Sequence, residues 1–253
     1  MTTDKNLLAD AESALREANL AFAKDHPGEG PGRQPVHTVY GGAQLFAADS
    51  VPKLGAIALR AMGLYAPDAA ALGRAVDISD HPALDTIDKR VREKLAREPI
   101  EDFRIDFEDG YGNRPDAEED NHSRVVAAEL KQGMSAGSLS PFIGMRIKPL
   151  NEELRVRAVR TLDIVMTGLV EGGGIPDRWV VTIPKVTIIE QVEYTVAVLR
   201  NLEKKLGLAD GTLEFELMVE TPQIILDRKG TSLLPRVTDA SDGRLRGAHF
   251  GTY

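Results

Sequence analysis

Hydrophobic and polar positions alternate most clearly between Asp102 and Gly112. There DFRIDFEDGYG sets Phe103, Ile105 and Phe107 on one face of a strand and Arg104, Asp106 and Glu108 on the other. The same period returns in PFIGMRIK (Pro141 to Lys148), where Ile143, Met145 and Ile147 oppose Gly144, Arg146 and Lys148. It returns again in EFELMVET (Glu214 to Thr221), where Phe215, Leu217 and Val219 oppose Glu214, Glu216 and Glu220. WVVTIPK (Trp179 to Lys185) is apolar on both faces, which leaves the direction of Lys185 open. Val36 to Tyr40 and Gly247 to Tyr253 complete a set of six predicted strands.

Between the strands the period lengthens to that of a helix. Leu7, Leu8, Ala11, Ala14, Leu15, Ala18 and Phe22 predict an amphipathic helix from Asp4 to about Asp25, followed by a Pro- and Gly-rich loop, His26 to Pro35. Val51 to Val76 reads as helical with a break at Pro67, and Leu84, Ile87, Val91 and Leu95 mark a further helix. Others run from Pro115 and Asp116 to about Gln132, from an Asn151 cap to the glycines at 172–174, and from a Thr187/Glu190 capping box to about Leu206. Strands separated by helices of similar length predict βαβ units and a parallel sheet. A doubly wound sheet buries both strand faces, whereas three strands here keep a polar one, which favours an α/β fold of the TIM (β/α)8 barrel type. Residues 1–253 read as a single barrel domain with a helical extension over about 1–35 and about six of the eight βα units.

Composition narrows the function. The chain is 42% hydrophobic and 28% charged with a net charge of −8, and it has no Lys/Arg run, so the footprint of a nucleic-acid binder is missing and anionic lipid is not an expected partner. No apolar stretch approaches the roughly 20 residues of a membrane helix, and Met1 to Asp10 lacks the basic-then-apolar order of a signal peptide; a cytoplasmic protein is expected. The absence of cysteine excludes disulfides, thiolate metal sites and a cysteine nucleophile, leaving oxygen and nitrogen ligands for any metal. No HExxH, GxSxG or P-loop is present, and GEGPG precedes a strand instead of following one, so it is no dinucleotide fingerprint.

Four strands finish on charges: Glu108 with Asp109, Arg146 with Lys148, Lys185, and Glu220. Taken singly, each is equally well explained as a salt-bridge partner closing a barrel end. Taken together, carboxylates converging with one arginine suit a hard divalent cation such as Mg²⁺ and a bidentate grip on a substrate carboxylate. Such a site can hold an enolate. Gly41 and Gly42, after the first strand, either bring backbone N–H groups to a ligand or make a tight strand-to-helix turn. His37 and His249 lie on strands, where the site mouth and the core fit them equally, while His26, His81 and His122 read as solvent-facing.

The order DFEDGYG, GMRIKP, TIPKV, MVETPQ, HFGTY resembles the HpcH/HpaI aldolase and citrate lyase beta-subunit superfamily, which includes malyl-CoA lyases and is related to malate synthase. The resemblance runs from roughly His37 to the C-terminus. It implies a Mg²⁺-dependent barrel enzyme, with Mn²⁺ as a substitute: a carbon–carbon lyase or aldolase acting through an enolate on a small 2-oxo or hydroxy acid or its CoA thioester, commonly as a homo-oligomer. By matched position it implies Glu220 as a metal ligand and Arg146 as the arginine that binds substrate carboxylate and stabilises the enolate. Glu108 and Asp109 match the pair that holds metal-bound waters and assists proton transfer, and Lys185, Gly41 and Gly42 fall near the substrate. The HTVYGGAQLF opening and the N-terminal extension depart from the citrate lyase pattern. The family's second metal ligand, an aspartate, and its last two strands fall beyond Tyr253, so the chain reads as C-terminally truncated or completed by another chain. Two other readings keep the barrel: a phosphoenolpyruvate/pyruvate-type phosphotransferase and a catalytically inactive barrel subunit.

Overall fold

The structure, a computed structural model, describes residues 5–28 and 30–251. It divides into two compact units, 1–34 and 35–253. In the first, α1 (Lys5–Asp25) is the expected amphipathic helix, with Leu15, Leu20 and Phe22 exposed. Its expected start at Asp4 lies outside the described residues.

The second unit carries six strands, β1 (Thr38–Gly42), β2 (Asp102–Asp106), β3 (Phe142–Arg146), β4 (Trp179–Ile183), β5 (Phe215–Val219) and β6 (Leu245–Phe250), in one sheet whose spatial order is their chain order. Every neighbouring pair is parallel. A parallel step needs a crossover, and helices supply it: α2 (Ser50–Tyr65), α3 (Ala69–Ala75) and α4 (Leu84–Arg97) after β1, α5 (Asp116–Ala136) after β2, α6 (Arg155–Glu171) after β3 and α7 (Ile189–Leu206) after β4.

The two faces of the sheet differ as the alternation predicts. Phe103, Ile105, Ile143, Met145, Val181, Ile183, Phe215 and Leu217 are buried in one core with Val126 and Leu130 of α5, Leu162, Val165 and Met166 of α6, and Val192, Val196 and Leu199 of α7. The other parity, Tyr40, Arg104, Arg146, Thr182, Glu216 and His249, meets across the opposite face. Arg104 Nε donates to Glu216 Oε1 at 2.7 Å although β2 and β5 would lie about 14 Å apart in a flat sheet. The sheet therefore curls, with the charges inside the curl and the helices outside. This is a TIM-barrel-like arrangement, in which β1 and β6 pair with no further strand among the described residues.

Local structure departs from the sequence reading at several points. The strand of the DFRIDFEDGYG motif ends at Asp106, because the Asp106 carboxylate accepts the Glu108 and Gly110 N–H groups at 2.9 and 2.7 Å and turns the chain. Strand β1 starts at Thr38 and includes both glycines, and β6 runs from Leu245 to Phe250, while Thr252 and Tyr253 lie outside the described residues. The expected capping pair of Thr187 and Glu190 is instead Thr187 and Gln191, whose Oε1 accepts the Thr187 N–H at 2.8 Å. Asn151 closes the turn before α6, accepting the Leu154 N–H at 3.0 Å, but the helix itself starts at Arg155 with Leu154 at its N-cap and no side-chain cap; the break at Pro67 falls between α2 and α3. Two short helices went unread, α8 (Pro222–Ile225), capped by Thr221, and α9 (Leu234–Ala240). No described helix is long and apolar enough to cross a membrane.

Candidate active site

Inside the curl the polar side chains form two tiers. The lower tier centres on Glu216, which accepts from Arg104 at 2.7 Å and from Thr182, and lies 2.9 Å from His249 Nε2. Arg104 also pairs with Asp102, which accepts the Thr38 hydroxyl at 2.9 Å. Gly144 lets the β4 backbone come close, since a Cβ there would run into the Val180 carbonyl. Tyr40 links the tiers, its hydroxyl 3.3 Å from His249 Nδ1 and its ring 4.7 Å from the Arg146 guanidinium carbon.

The upper tier stands at the C-terminal strand ends, where barrel-type enzymes place their chemistry. Asp106 and Arg146 are register partners on β2 and β3, and they form a two-point fork, Nε to Oδ1 at 2.7 Å and Nη2 to Oδ2 at 2.6 Å. The remaining side of the guanidinium faces Glu108, with Nη1 3.1 Å from Oε2. That oxygen is buried and makes no hydrogen bond among the described residues. Lys185 closes the tier, its ammonium held by Glu108 and by Asp109 at 2.9 Å, and its backbone N–H donated to Glu220 Oε1 at 2.7 Å.

Electrostatics follow from this packing. Burial lifts the Glu108 carboxyl above the ordinary glutamate value, and Lys185 and Arg146 only partly offset it. Burial works the same way on Asp109, but there the Lys185 hydrogen bond and charge prevail and hold it below the ordinary value. Burial disfavours the charged form of Lys185, yet its two carboxylate partners raise its proton affinity, so it stands as an ammonium. A poised carboxyl beside two fixed cations can take up and return a proton while negative charge forms nearby.

The structure brings Glu108, Asp109, Arg146 and Lys185 together, with Glu220 tied to Lys185 through the backbone. Arg146 differs from the expected free fork, because its bidentate edge is taken by Asp106. Lys148 stands apart from Arg146: its ammonium donates to the Phe107 and Gly112 carbonyls at 2.7 and 3.1 Å and pairs with Glu119 of α5 at 3.1 Å, stapling the loop after β2. A Cβ on Gly41 would meet the Phe103 ring at 2.5 Å, and one on Gly42 would run into the Gly110 carbonyl oxygen. His122, expected in solvent, meets the Tyr111 hydroxyl at 2.8 Å. The sequence reading places Arg104 and Asp106 on the charged face with Glu108 but gives them, and Tyr40, no role in the site; the shared parity of Asp106 and Glu108 is the signal that points to it.

The expected Mg²⁺ does not fit the described residues. Glu220 offers one carboxylate, but no group of three or more His, Asp or Glu side chains among the described residues lies close enough together to hold a metal ion. The Lys185 ammonium already pairs with both Glu108 and Asp109.

The profile of the family described as a domain of unknown function, DUF6986, matches residues 15–253. No curated protein matches the chain. Among solved structures, the lead(II) complex of malate synthase from Haloferax volcanii is similar over 59% of this chain and 40% of its own, at 17% identity and a TM-score of 0.46. The chain thus spans less than half of that protein, and a likeness of this degree adds no functional argument.

Proposed function

The chain belongs to the DUF6986 family, and we propose that it is a carbon–carbon lyase of the aldolase and citrate lyase type, acting through an enolate on a small 2-oxo or hydroxy acid or its CoA thioester. The observation that carries this reading is the buried Glu108 Oε2, without a hydrogen bond and 3.1 Å from Arg146 Nη1, at the C-terminal end of a curled parallel sheet.

In the cleavage direction the Glu108 carboxylate takes the proton of the substrate hydroxyl. The bond from the hydroxyl-bearing carbon to its neighbour breaks, a carbonyl product forms, and the electron pair becomes the enolate of the 2-oxo acid or thioester. The Glu108 carboxyl then returns the proton to the enolate carbon. Arg146, fixed by Asp106 and facing Glu108 through Nη1, would meet the substrate carboxylate or the developing oxyanion beside Glu108, and removal of one such preorganised donor typically costs about 10²–10³ in rate. Of the three residues that the resemblance puts near the substrate, Gly41 and Gly42 are candidate contacts through their backbone, whereas the Lys185 ammonium is already held by Glu108 and Asp109, so that Asp109 supports Glu108 through their shared lysine. Because the described residues form no Mg²⁺ or Mn²⁺ site around Glu220, the metal enters only as a condition varied in the assay, and none of these steps is routed through it. A homo-oligomer in the cytoplasm is the accompanying expectation, which sedimentation and fractionation would check.

The test is a panel of 4-hydroxy-2-oxo acids and malyl-type thioesters, following pyruvate, glyoxylate or acetyl-CoA release with and without Mg²⁺. Turnover abolished by Glu108→Gln and by Arg146→Ala supports the reading. Phosphate release from phosphoenolpyruvate without carbon–carbon cleavage would move it to a phosphotransferase. The internal pairing of Lys185 and Arg146 favours a second reading, an inactive barrel subunit, and that one predicts neither turnover nor a Mg²⁺-dependent thermal shift.

A further inference from the structure

Lys185 follows β4 with φ at 50°, in the left-handed region that residues bearing a Cβ adopt only at a cost. Such strain concentrates where the surroundings require it. Two contacts hang on this conformation. The backbone N–H is turned to Glu220 Oε1, and the side chain is sent toward Glu108 and Asp109. One residue thereby ties the carboxylates that end β2 to the carboxylate that ends β5, three strands away in the sheet. Glycine would relax the backbone but has no ammonium. Gly251 completes the enclosure, since a Cβ there would lie 2.7 Å from Glu220 Cβ.

We propose that Lys185 is the positioning residue of this site, setting Glu108 and Asp109 through its ammonium and Glu220 through its backbone N–H, and acting on the reaction through those carboxylates without touching the substrate. This rests on the reading of Glu108 as the proton-transfer group. A lysine that grips an anionic substrate presents its ammonium to open space. Here the ammonium sits between two carboxylates with its side chain 32% exposed, so an incoming anion would have to displace one of them.

The experiment uses the full chain with Lys185→Met, Lys185→Gly, Lys185→Ala, Glu108→Gln and the double variant Lys185→Met/Glu108→Gln. In thermal unfolding, Lys185→Gly melts about 2–4 °C above Lys185→Ala, the order that a left-handed position imposes. The double variant loses less than the sum of its two singles, because both remove one shared interaction. With 4-hydroxy-2-oxopentanoate and malyl-CoA as probes, Lys185→Met lowers kcat about 10- to 100-fold while KM stays within about threefold. A raised KM with kcat unchanged would make Lys185 a substrate contact and overturn the proposal. Additive melting losses, or an Ala variant as stable as the Gly variant, would overturn it equally. If the wild type cleaves neither probe, nor any other member of the panel, the lyase reading fails, and the melting comparisons alone decide whether Lys185 positions the carboxylates.

Discussion

Tyr40 on β1 and His249 on β6 meet, hydroxyl to Nδ1 at 3.3 Å, although they stand on the first and last strands of the sheet. A flat sheet would hold those strands about 24 Å apart. The contact therefore measures the curl, and the polar tier beneath the site supplies the partners that make it affordable. Charges on one strand face are a liability in an open sheet and an asset here, because strands that are distant along the sheet answer one another.

Glu216 is the centre of that tier, and it predicts an acid limb in stability. Burial alone would raise its carboxyl, but His249 and Arg104 outweigh burial and hold it at about 2, below the ordinary value of 4.5. A depressed folded-state value means that the unfolded chain binds the proton first. The stabilisation is therefore fully present above about pH 4.5 and is lost as the pH falls toward about 2, a contribution on the order of 3 kcal/mol. Urea unfolding of the wild type and Glu216→Gln should show a free-energy gap at about pH 6 that has roughly halved by about pH 3 and closes only toward about pH 2. A gap independent of pH would sink this account.

Asp106 predicts the largest single loss. Its carboxylate receives the Arg146 fork and two backbone N–H groups, so Asp106→Ala strands a buried guanidinium and releases the turn that carries Glu108. Breaking one side of a buried pair costs about 3–5 kcal/mol. The double change with Arg146→Met should recover much of it, because no buried charge is then left alone. Equal destabilisation of single and double variants would show that the turn, and not the pair, carries the cost.

Glu108 predicts the shape of the pH–rate profile. As a base it must be charged, and burial holds its carboxyl above the ordinary glutamate value. Activity on any panel substrate should therefore rise with pH through a value higher than that of an exposed glutamate. The limb should move further upward in Lys185→Met, which removes a neighbouring positive charge. A limb that stays in place in that variant would assign it to another group.

Much of this arrangement was legible because period two is a strong signal. The apolar parity of Phe103, Ile105, Met145 and Leu217 marked the helix-facing core, and the residue order announced parallel βαβ units. The tertiary contacts were not legible. Nothing local tells Arg104 that its partner is Glu216, 112 residues away, or sends Lys148 to Glu119 when Arg146 is its neighbour in the motif. Those pairings follow from the curl, which no single strand encodes. The left-handed backbone of Lys185 was equally hidden, since lysine gives no sequence cue for a positive φ.

The two glycines after Tyr40 supply a last, discriminating prediction. Gly42 has φ −55°, a conformation open to any residue, so its requirement is for space and not for backbone freedom. The Gly110 carbonyl occupies that space, and the Gln44 amide donates to the same carbonyl at 3.2 Å. Gly42→Ala must therefore push back the turn that carries Glu108 and Asp109. Gly41 points to the opposite face, where its missing Cβ leaves room for the Phe103 ring. Both changes to alanine overpack and should cost about 1–3 kcal/mol in urea unfolding. Only Gly42→Ala should also lower kcat, because only it disturbs the acidic turn. If Gly41→Ala lowers kcat as much at equal stability, the glycine pair serves the site through its backbone, and the packing account of Gly41 fails.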